Sequence, residues 1–140
     1  VPVVGAVVGI INAKQDPVDG TMTGGSISLD TPVYRAASTK QYVLVADSPD
    51  LIFEAEADAA VAYATVGLNA DIGASAHTNP LLTGASPMYV YSTTAPSASA
   101  TRPLQIVGIV KRPDNEANAA YNKVLVKITT HAYGNAVAGV

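Results

Sequence analysis

The hydrophobic positions of this chain fall in short runs that are rich in β-branched residues and are separated by turn-forming residues. Within a run, the apolar residues either alternate with polar ones or follow each other without interruption. This pattern predicts β-strands, with helix as the minority state. Further short strands are expected near 27–33, 68–72 and 88–91. Four runs are predicted to form the centre of the fold: 41–46, 51–57, 104–110 and 123–130.

The fold class predicted from these runs is mainly β, as a single domain over residues 1–140 with at most one or two short helices. It is either an antiparallel β-barrel or a two-sheet sandwich, since strand order is not visible in the pattern. One short helix is predicted over 58–65, where Asp58 would cap an alanine-rich segment that ends at Gly67. A second short helical segment is predicted over 117–120.

The core is predicted from the apolar faces of these strands. In the run 51–57, Phe53 falls on the face opposite Glu54 and Glu56, and it is the only phenylalanine of the chain. We therefore expect Phe53 to be a buried anchor, whose truncation to alanine would cost about 3 to 5 kcal/mol. The predicted core residues are Val43, Val45, Leu51, Phe53, Leu68, Ile106, Ile109, Val124, Val126 and Ile128.

The N-terminal run Val3 to Ile11 is apolar, interrupted by glycine and without charge. It has two interpretations between which the sequence does not choose. The run forms an ordinary core strand, or residues 1–11 form an N-terminal arm or edge strand that docks on a neighbouring protein.

Composition narrows the possible partners. Eight basic residues against 11 acidic ones, for a net charge of −3, give no basic patch for a phosphate backbone, so nucleic acid is not an expected partner. No apolar run has the length of a bilayer span, so no membrane partner is expected either. With 14% charged residues and no cysteine, the chain suits a protein that lies against neighbours, without disulfides.

Candidate chemistry is sparse. His77 and His131 are not spaced as a metal-ligand pair, and no nucleophile elbow or phosphate loop occurs. A solvated strand face and a turn account for the clustered acids without paired-carboxylate catalysis. We therefore predict no catalytic, metal or cofactor-binding site and no enzyme activity. The acids concerned are Asp47, Asp50, Glu54, Glu56 and Asp58.

The segment KRPDNE, residues 111–116, follows the apolar run 104–110 directly. Pro113 fixes φ and ends the strand where the charge begins. Arg112 has the planar fork to pair with Asp114, with Glu116 or with a carboxylate of a neighbouring subunit. A local corner between two strands is the favoured interpretation, and a subunit contact is the alternative.

Three segments of the chain resemble a known family: QYVLVADSPDLIFEAEAD, VGLNADI and PLQIVGIVKRPDNEANAAYNKVLVKITTHAYG. They are similar to small head proteins of tailed bacteriophages, the capsid decoration or cement proteins. The shared motifs are a strand-turn-strand around DSP, the VGLNAD segment, and the RPDNE corner followed by KVLVKI. The resemblance covers residues 41–72 and 103–134, around half of the chain.

The resemblance implies a non-enzymatic structural protein on the outer surface of the virion head. There it would bridge subunits of the major capsid protein and contact other copies of itself, with a trimer favoured over a dimer. It implies no catalytic residues and no cofactor. The candidate interface residues are Val3, Val4, Val7, Val8, Ile10, Arg112, Asp114 and Glu116.

Two functions from other classes remain open at this stage. A glycan- or receptor-binding β module of a phage tail or fibre would use tyrosines as stacking platforms, and should expose two or more of them in one concave patch. A small hydrolase would need two titratable groups within hydrogen-bonding reach in a cleft. The tyrosines concerned are Tyr89, Tyr91, Tyr121 and Tyr133.

Overall fold

The computed structural model describes residues 2–12, 41–75, 87–134 and 139, with residues 9–12 and 41–42 described through their backbone. The predicted strand near 27–33 and His77 lie outside the described residues. One 3-10 turn, Tyr63–Thr65, is present in the described ranges. The described strands are β1 (Ala6–Asn12), β2 (Gln41–Ala46), β3 (Ile52–Glu56), β4 (Asn69–Ala74), β5 (Met88–Tyr91), β6 (Leu104–Ile109) and β7 (Lys123–Ile128).

The described residues group into two compact units. One unit holds β3 to β7 together with residues 2–5, and its strands form an antiparallel sheet in the order β3-β7-β6-β4-β5. The other unit holds β1 and β2 as an antiparallel pair. The prediction of a mainly β fold is confirmed, and the assignment of residues 1–140 to one domain stays a prediction.

The five-stranded sheet curls until its two edge strands meet at one point. Just beyond the end of β3, Ala57 forms a parallel bridge with Val90 of β5, and the Asp58 N–H donates to the Val90 carbonyl at 3.1 Å. This contact converts an open sheet into a half-barrel whose inner face is the core. Of the two predicted alternatives, an antiparallel barrel and a two-sheet sandwich, the five-stranded sheet is therefore closer to the barrel.

The inner faces of β6 and β7 supply most of the core. Ile106, Val124 and Val126 are almost completely buried there, because alternate residues of β7 lie inside the curl. Five predicted core residues are confirmed as buried: Ile106, Ile109, Val124, Val126 and Ile128. Short side chains from other segments complete the core: Ala57, Val61, Ala70 and Val90.

Part of the predicted core is wrong. Val43 and Leu51 are exposed, and Phe53 is a partly buried residue on an edge strand that packs against the core from its margin. Val45 and Leu68 are likewise only partly buried. The prediction that four strands form the centre is corrected as well, since 41–46 pairs with β1 in the separate sheet and β3 lies at an edge.

The helix predicted over 58–65 does not form, apart from the 3-10 turn at its end. The backbone groups that a helix would use are bound by distant side chains. The Val61 N–H donates to Asn122 Oδ1 at 3.1 Å, and Asn122 Nδ2 donates back to the Val61 carbonyl at 2.8 Å. The Asp58 side chain accepts hydrogen bonds from Ser92, 34 residues away, instead of capping its own segment.

The helical segment predicted over 117–120 is also absent. The chain turns there through two residues in the left-handed region, Asn118 at φ 65° and Tyr121 at φ 61°. Left-handed backbone ends helical geometry, and asparagine is among the side chains that tolerate it best. The predicted segment is therefore a pair of turns that leads into β7.

Candidate functional site

The RPDNE corner joins β6 to β7 and is held mainly by one side chain. Asn115 Nδ2 donates to the carbonyls of Val110 and Lys123 at 2.7 and 2.9 Å. The Lys123 N–H donates to Asn115 Oδ1 at 2.6 Å. The Asn115 amide thus connects the end of β6 to the start of β7 by hydrogen bonds, as a backbone pair of the sheet would. This supports the interpretation of the segment as a local corner.

The charged residues of this corner pair within the chain. Arg112 Nη2 donates to Glu54 Oε1 of β3 at 2.5 Å, and Arg112 Nε lies 3.7 Å from Asp114 Oδ1. The side chain of Glu116 is exposed, and its backbone carbonyl accepts from Ala119. Of the sequence-predicted partners of Arg112, Asp114 is in place, and Glu54 was missed because it lies 58 residues away in sequence.

The N-terminal candidates divide between the two units. Val3 belongs to the half-barrel: its N–H donates to the Thr130 carbonyl at 3.0 Å, and its carbonyl accepts from the Ala132 N–H at 3.0 Å. Val3 thereby forms a parallel bridge with His131 and packs against the core, whereas Val4 is exposed. The run Val3 to Ile11 is therefore not one continuous core strand, since its part from Ala6 onward pairs with β2 in a two-stranded sheet, and docking of an arm or edge strand on a neighbour stays a prediction.

Strands β1 and β2 carry an apolar face that is open in the single chain. Val7 pairs with Val45 and Ile10 pairs with Val43 in the backbone register, so Val7, Val43 and Val45 share one face. Val7 is 55% and Val43 42% exposed. Val8 is also exposed, at the register shift between Val7 and Gly9. Two candidate interface residues of β1, Val7 and Val8, therefore present apolar surface to solvent.

A cleft of about 370 Å³ lies where β6 begins and β7 ends in the half-barrel. At its wall, Lys127 Nζ donates to Asp50 Oδ1 at 2.8 Å, and this hydrogen bond and the lysine charge lower the pKa of Asp50. Gln105 pairs with Lys127 in the strand register. We call this feature the polar cleft; its lining residues are Pro49, Asp50, Gln105, Lys127, Ile128, Thr129, His131 and Gly134.

His131 is the buried member of the polar cleft, with 4% of its surface exposed. Its Nδ1 accepts the Tyr133 N–H at 3.1 Å, so the neutral ring carries its proton on Nε2. That buried Nε2 has no hydrogen-bond partner within the described ranges. The ring also lies beside the Tyr133 ring, with centroids 5.7 Å apart.

Three of the clustered acids have hydrogen-bonding or ion-pair partners within the chain. Asp50 pairs with Lys127, Glu54 with Arg112, and Asp58 with Ser92 and Thr93. Partial burial raises the pKa of Asp58, but the hydrogen bonds from Ser92 and Thr93 outweigh this and leave its pKa lowered. Among the described residues, no group of three or more His, Cys, Asp or Glu side chains is arranged to hold a metal ion.

The four tyrosines proposed as stacking platforms differ in exposure. Tyr89 and Tyr91 are partly buried neighbours on one face of β5, with ring centroids 6.3 Å apart. Tyr121 and Tyr133 are exposed, and of these Tyr133 lies between two lining residues of the polar cleft, His131 and Gly134.

Sequence reasoning missed most of the polar cleft. Gln105 and Lys127 look like ordinary outward positions of two strands, and Thr129 lies just past a strand end. The strand pairing of β6 with β7 brings them together, and the turn around Asp50 reaches them over 77 residues. No local motif marks such a site, because its residues come from three separate segments.

Comparison with known proteins gives no relative: no family model, no curated protein and no solved structure matches this chain. Within the described part of the chain, no helix combines the length and the apolar character needed to cross a bilayer.

Proposed function

We propose that this chain is a non-enzymatic structural protein that decorates the outer surface of a tailed-phage capsid and stabilises it by bridging major capsid protein subunits. The proposal joins the sequence resemblance of residues 41–72 and 103–134 to one structural observation. That observation is the exposed apolar face of the β1–β2 pair, formed by Val7, Val43 and Val45.

The β1–β2 face supports the proposal for a physical reason. A two-stranded sheet is marginally stable in water by itself, because it buries little apolar surface. Exposed apolar patches on proteins mark sites that a neighbour covers. Contact with the capsid shell would bury Val7 and Val43, so binding and ordering of this pair would reinforce each other.

The half-barrel suits the part of a decoration protein that must keep its structure on the capsid surface. Its corners are closed by side-chain to backbone hydrogen bonds from Asn115, Asn122 and Asp58, which fix the loops without disulfides. A decoration protein needs only a modest interface per copy, since many copies on a symmetric lattice act together. A half-barrel closed in this way and a small apolar docking face on the β1–β2 pair together meet that requirement.

The experiment is a binding assay with empty shells assembled from the major capsid protein alone. Purified wild-type chain is mixed with the shells, and cryo-electron microscopy is used to look for added density on the outer surface. The proposal expects regular density at symmetry-related positions, with the β1–β2 pair against the shell. Bare shells in the presence of folded protein would reject it.

A matched pair of variants tests the docking face itself. The double variant Val7→Thr/Val43→Thr keeps β-branched side chains, which suit strands, and removes apolar contact from the face. Val107→Thr is the control, since Val107 of β6 is 41% exposed, close to the 42% of Val43, but belongs to the half-barrel. Shell occupancy should fall strongly for the double variant and stay at the wild-type level for the control.

Self-association is part of the proposal, with a trimer expected from the symmetry of capsid lattices. Sedimentation equilibrium of the free protein measures the assembly state directly. A mass of three chains supports a trimer that forms before docking. A monomer in solution, together with threefold clusters of density on the shell, would place assembly on the capsid surface.

A further inference from the structure

We propose that the polar cleft is a binding site for a neutral carbohydrate, with Tyr133 as its stacking platform. This inference goes beyond capsid decoration and does not depend on it. The cleft lies in the half-barrel, whereas the proposed docking face lies on the β1–β2 pair. Its volume of about 370 Å³ is within the range of small-ligand sites and suits a small saccharide.

The lining of the cleft offers both donors and acceptors. Asp50 contributes a carboxylate that accepts, and Lys127 an ammonium that donates. Gln105 Nε2 donates to the Gly67 carbonyl at 3.0 Å, which leaves Gln105 Oε1 as an acceptor. The Thr129 hydroxyl donates to the Arg102 carbonyl at 2.7 Å and can still accept. Sugar hydroxyls donate and accept, so they match this mixed set better than a simple ion does.

Charge in the cleft favours a neutral ligand. The Lys127 ammonium and the Asp50 carboxylate form an ion pair at 2.8 Å, so their opposite charges offset each other. An anion would be repelled by Asp50 and a cation by Lys127. A ligand that forms hydrogen bonds without carrying charge can use both groups without separating them.

An exposed aromatic ring, that of Tyr133, lies next to the ring of His131, which lines the cleft. Tyr133 is 72% exposed, and its backbone N–H is bound by His131 Nδ1 at 3.1 Å. The His131 ring lies against it with centroids 5.7 Å apart. An exposed aromatic ring can stack on the C–H face of a sugar.

The lining residue His131 has a ring nitrogen without a hydrogen-bond partner in the described part of the chain. Its buried Nε2, the protonated nitrogen of the neutral ring, has no acceptor in the described part of the chain. Buried donors without a partner are rare and call for an acceptor that the chain alone does not provide. Because Nε2 is buried, a ligand hydroxyl would reach it only after the lining side chains move.

The test is a titration of the full ¹⁵N-labelled chain followed by amide NMR. The probes are methyl glucoside, methyl galactoside and N-acetylglucosamine, with glycerol and acetate as comparison ligands. We expect saturable shifts for at least one sugar, confined to the amides of residues 50, 105 and 127–134, and little change with added salt. Absence of saturable shifts for all three sugars would overturn the proposal. So would equal shifts with glycerol or acetate, since these would show a generic polyol or charge effect.

Variants at tyrosine positions distinguish the loss of ring stacking from a loss of folding. Tyr133→Ala should weaken sugar binding by about tenfold or more, and Tyr133→Phe should retain it because the ring remains. Tyr121→Ala is the matched control: Tyr121 is 65% exposed, and unlike Tyr133 it is not adjacent in sequence to a lining residue of the cleft. Equal losses in Tyr121→Ala and Tyr133→Ala would contradict the assignment. The same spectra report whether each variant is folded.

Discussion

Asp58 and Ser92 close the seam between the two edges of the curled sheet. Asp58 Oδ1 accepts the Ser92 N–H at 2.6 Å and the Ser92 hydroxyl at 2.9 Å. The Thr93 N–H donates to the same oxygen, and the Thr93 hydroxyl donates to Oδ2 at 2.8 Å. Since Asp58 follows β3 and Ser92 follows β5, this carboxylate ties together the strands that would otherwise be the two free edges.

Replacing Asp58 by alanine should destabilise the fold. The change leaves the N–H groups of Ser92 and Thr93 without their acceptor, and Ser92 is buried. Hydrogen bonds to a charged partner contribute about 1.5 to 3 kcal/mol each, but neighbouring bonds do not add, so we expect a loss of about 2 to 3 kcal/mol in urea unfolding. Asp47→Ala, at an exposed acid, serves as control and should stay within about 0.5 kcal/mol of wild type.

The same carboxylate predicts a pH dependence of stability. Burial raises the pKa of Asp58, but the hydrogen bonds from Ser92 and Thr93 lower it further, so the folded pKa lies below the unfolded one. The contribution of Asp58 is therefore complete above the unfolded pKa of about 3.9 and is lost as pH falls through the folded pKa. The stability difference between wild type and Asp58→Asn should stay constant from about pH 7 to about pH 5 and shrink between about pH 5 and about pH 3. A difference that stays constant over this range would contradict the role of the charge.

Asn115 should matter more to stability than the charges around it. Asn115→Ala removes three hydrogen bonds between the ends of β6 and β7, at an expected cost of about 2 to 3 kcal/mol. Asn115→Asp should cost at least as much, because a carboxylate cannot donate to the Val110 and Lys123 carbonyls. Both values are measured by urea unfolding.

Arg112→Ala is the comparison variant for this corner. Its pairs with Glu54 and Asp114 are largely exposed, and exposed ion pairs contribute about 0 to 1 kcal/mol. If Arg112→Ala proved more costly than Asn115→Ala, the corner would depend on charge pairing rather than on the amide. If Arg112→Ala left stability unchanged but reduced shell binding, Arg112 would be a subunit contact.

The strands were predictable from sequence because their signal is local. Residues 41–46 and 88–91 form strands with the predicted bounds, and β6 and β7 differ from the prediction only at their ends. Alternation along β7 also identified Val124, Val126 and Ile128 as core. Pairing between strands is not local, so the same pattern gave no sign that β2 pairs with β1, and Val43 was wrongly assigned to the core.

The helix wrongly predicted over 58–65 and the missed polar cleft share a physical cause, which is contact between residues that lie far apart in sequence. The alanine-rich segment 58–65 has helical propensity, but Asn122 and Ser92 bind its backbone and hold Val61 in the core. The polar cleft is likewise assembled by strand pairing from distant residues. Intrinsic propensity is a weak preference that tertiary contacts of this kind override.

The core is expected to depend more on Ile106 than on Phe53. Ile106 is completely buried in β6, and its truncation to alanine should cost about 3 to 4 kcal/mol. Phe53 lies on edge strand β3 and is partly buried, so Phe53→Ala should cost less, about 1 to 3 kcal/mol. Urea unfolding of both variants gives the comparison. A larger loss for Phe53→Ala would restore the anchor role expected from the sequence.

Gly73 of β4 and Tyr89 of β5 form a cross-strand pair in which the tyrosine ring covers the glycine. A Cβ at position 73 would overlap this ring, so Gly73→Ala should displace it and cost about 1 to 3 kcal/mol. Gly108→Ala is the control, since its Cβ would meet Leu125 at an ordinary 3.9 Å. In a double-mutant cycle, Gly73→Ala should cost much less when Tyr89 is already alanine, because the overlap is gone. Equal costs in both backgrounds would mean that the glycine is needed for the backbone of β4 rather than for its ring partner.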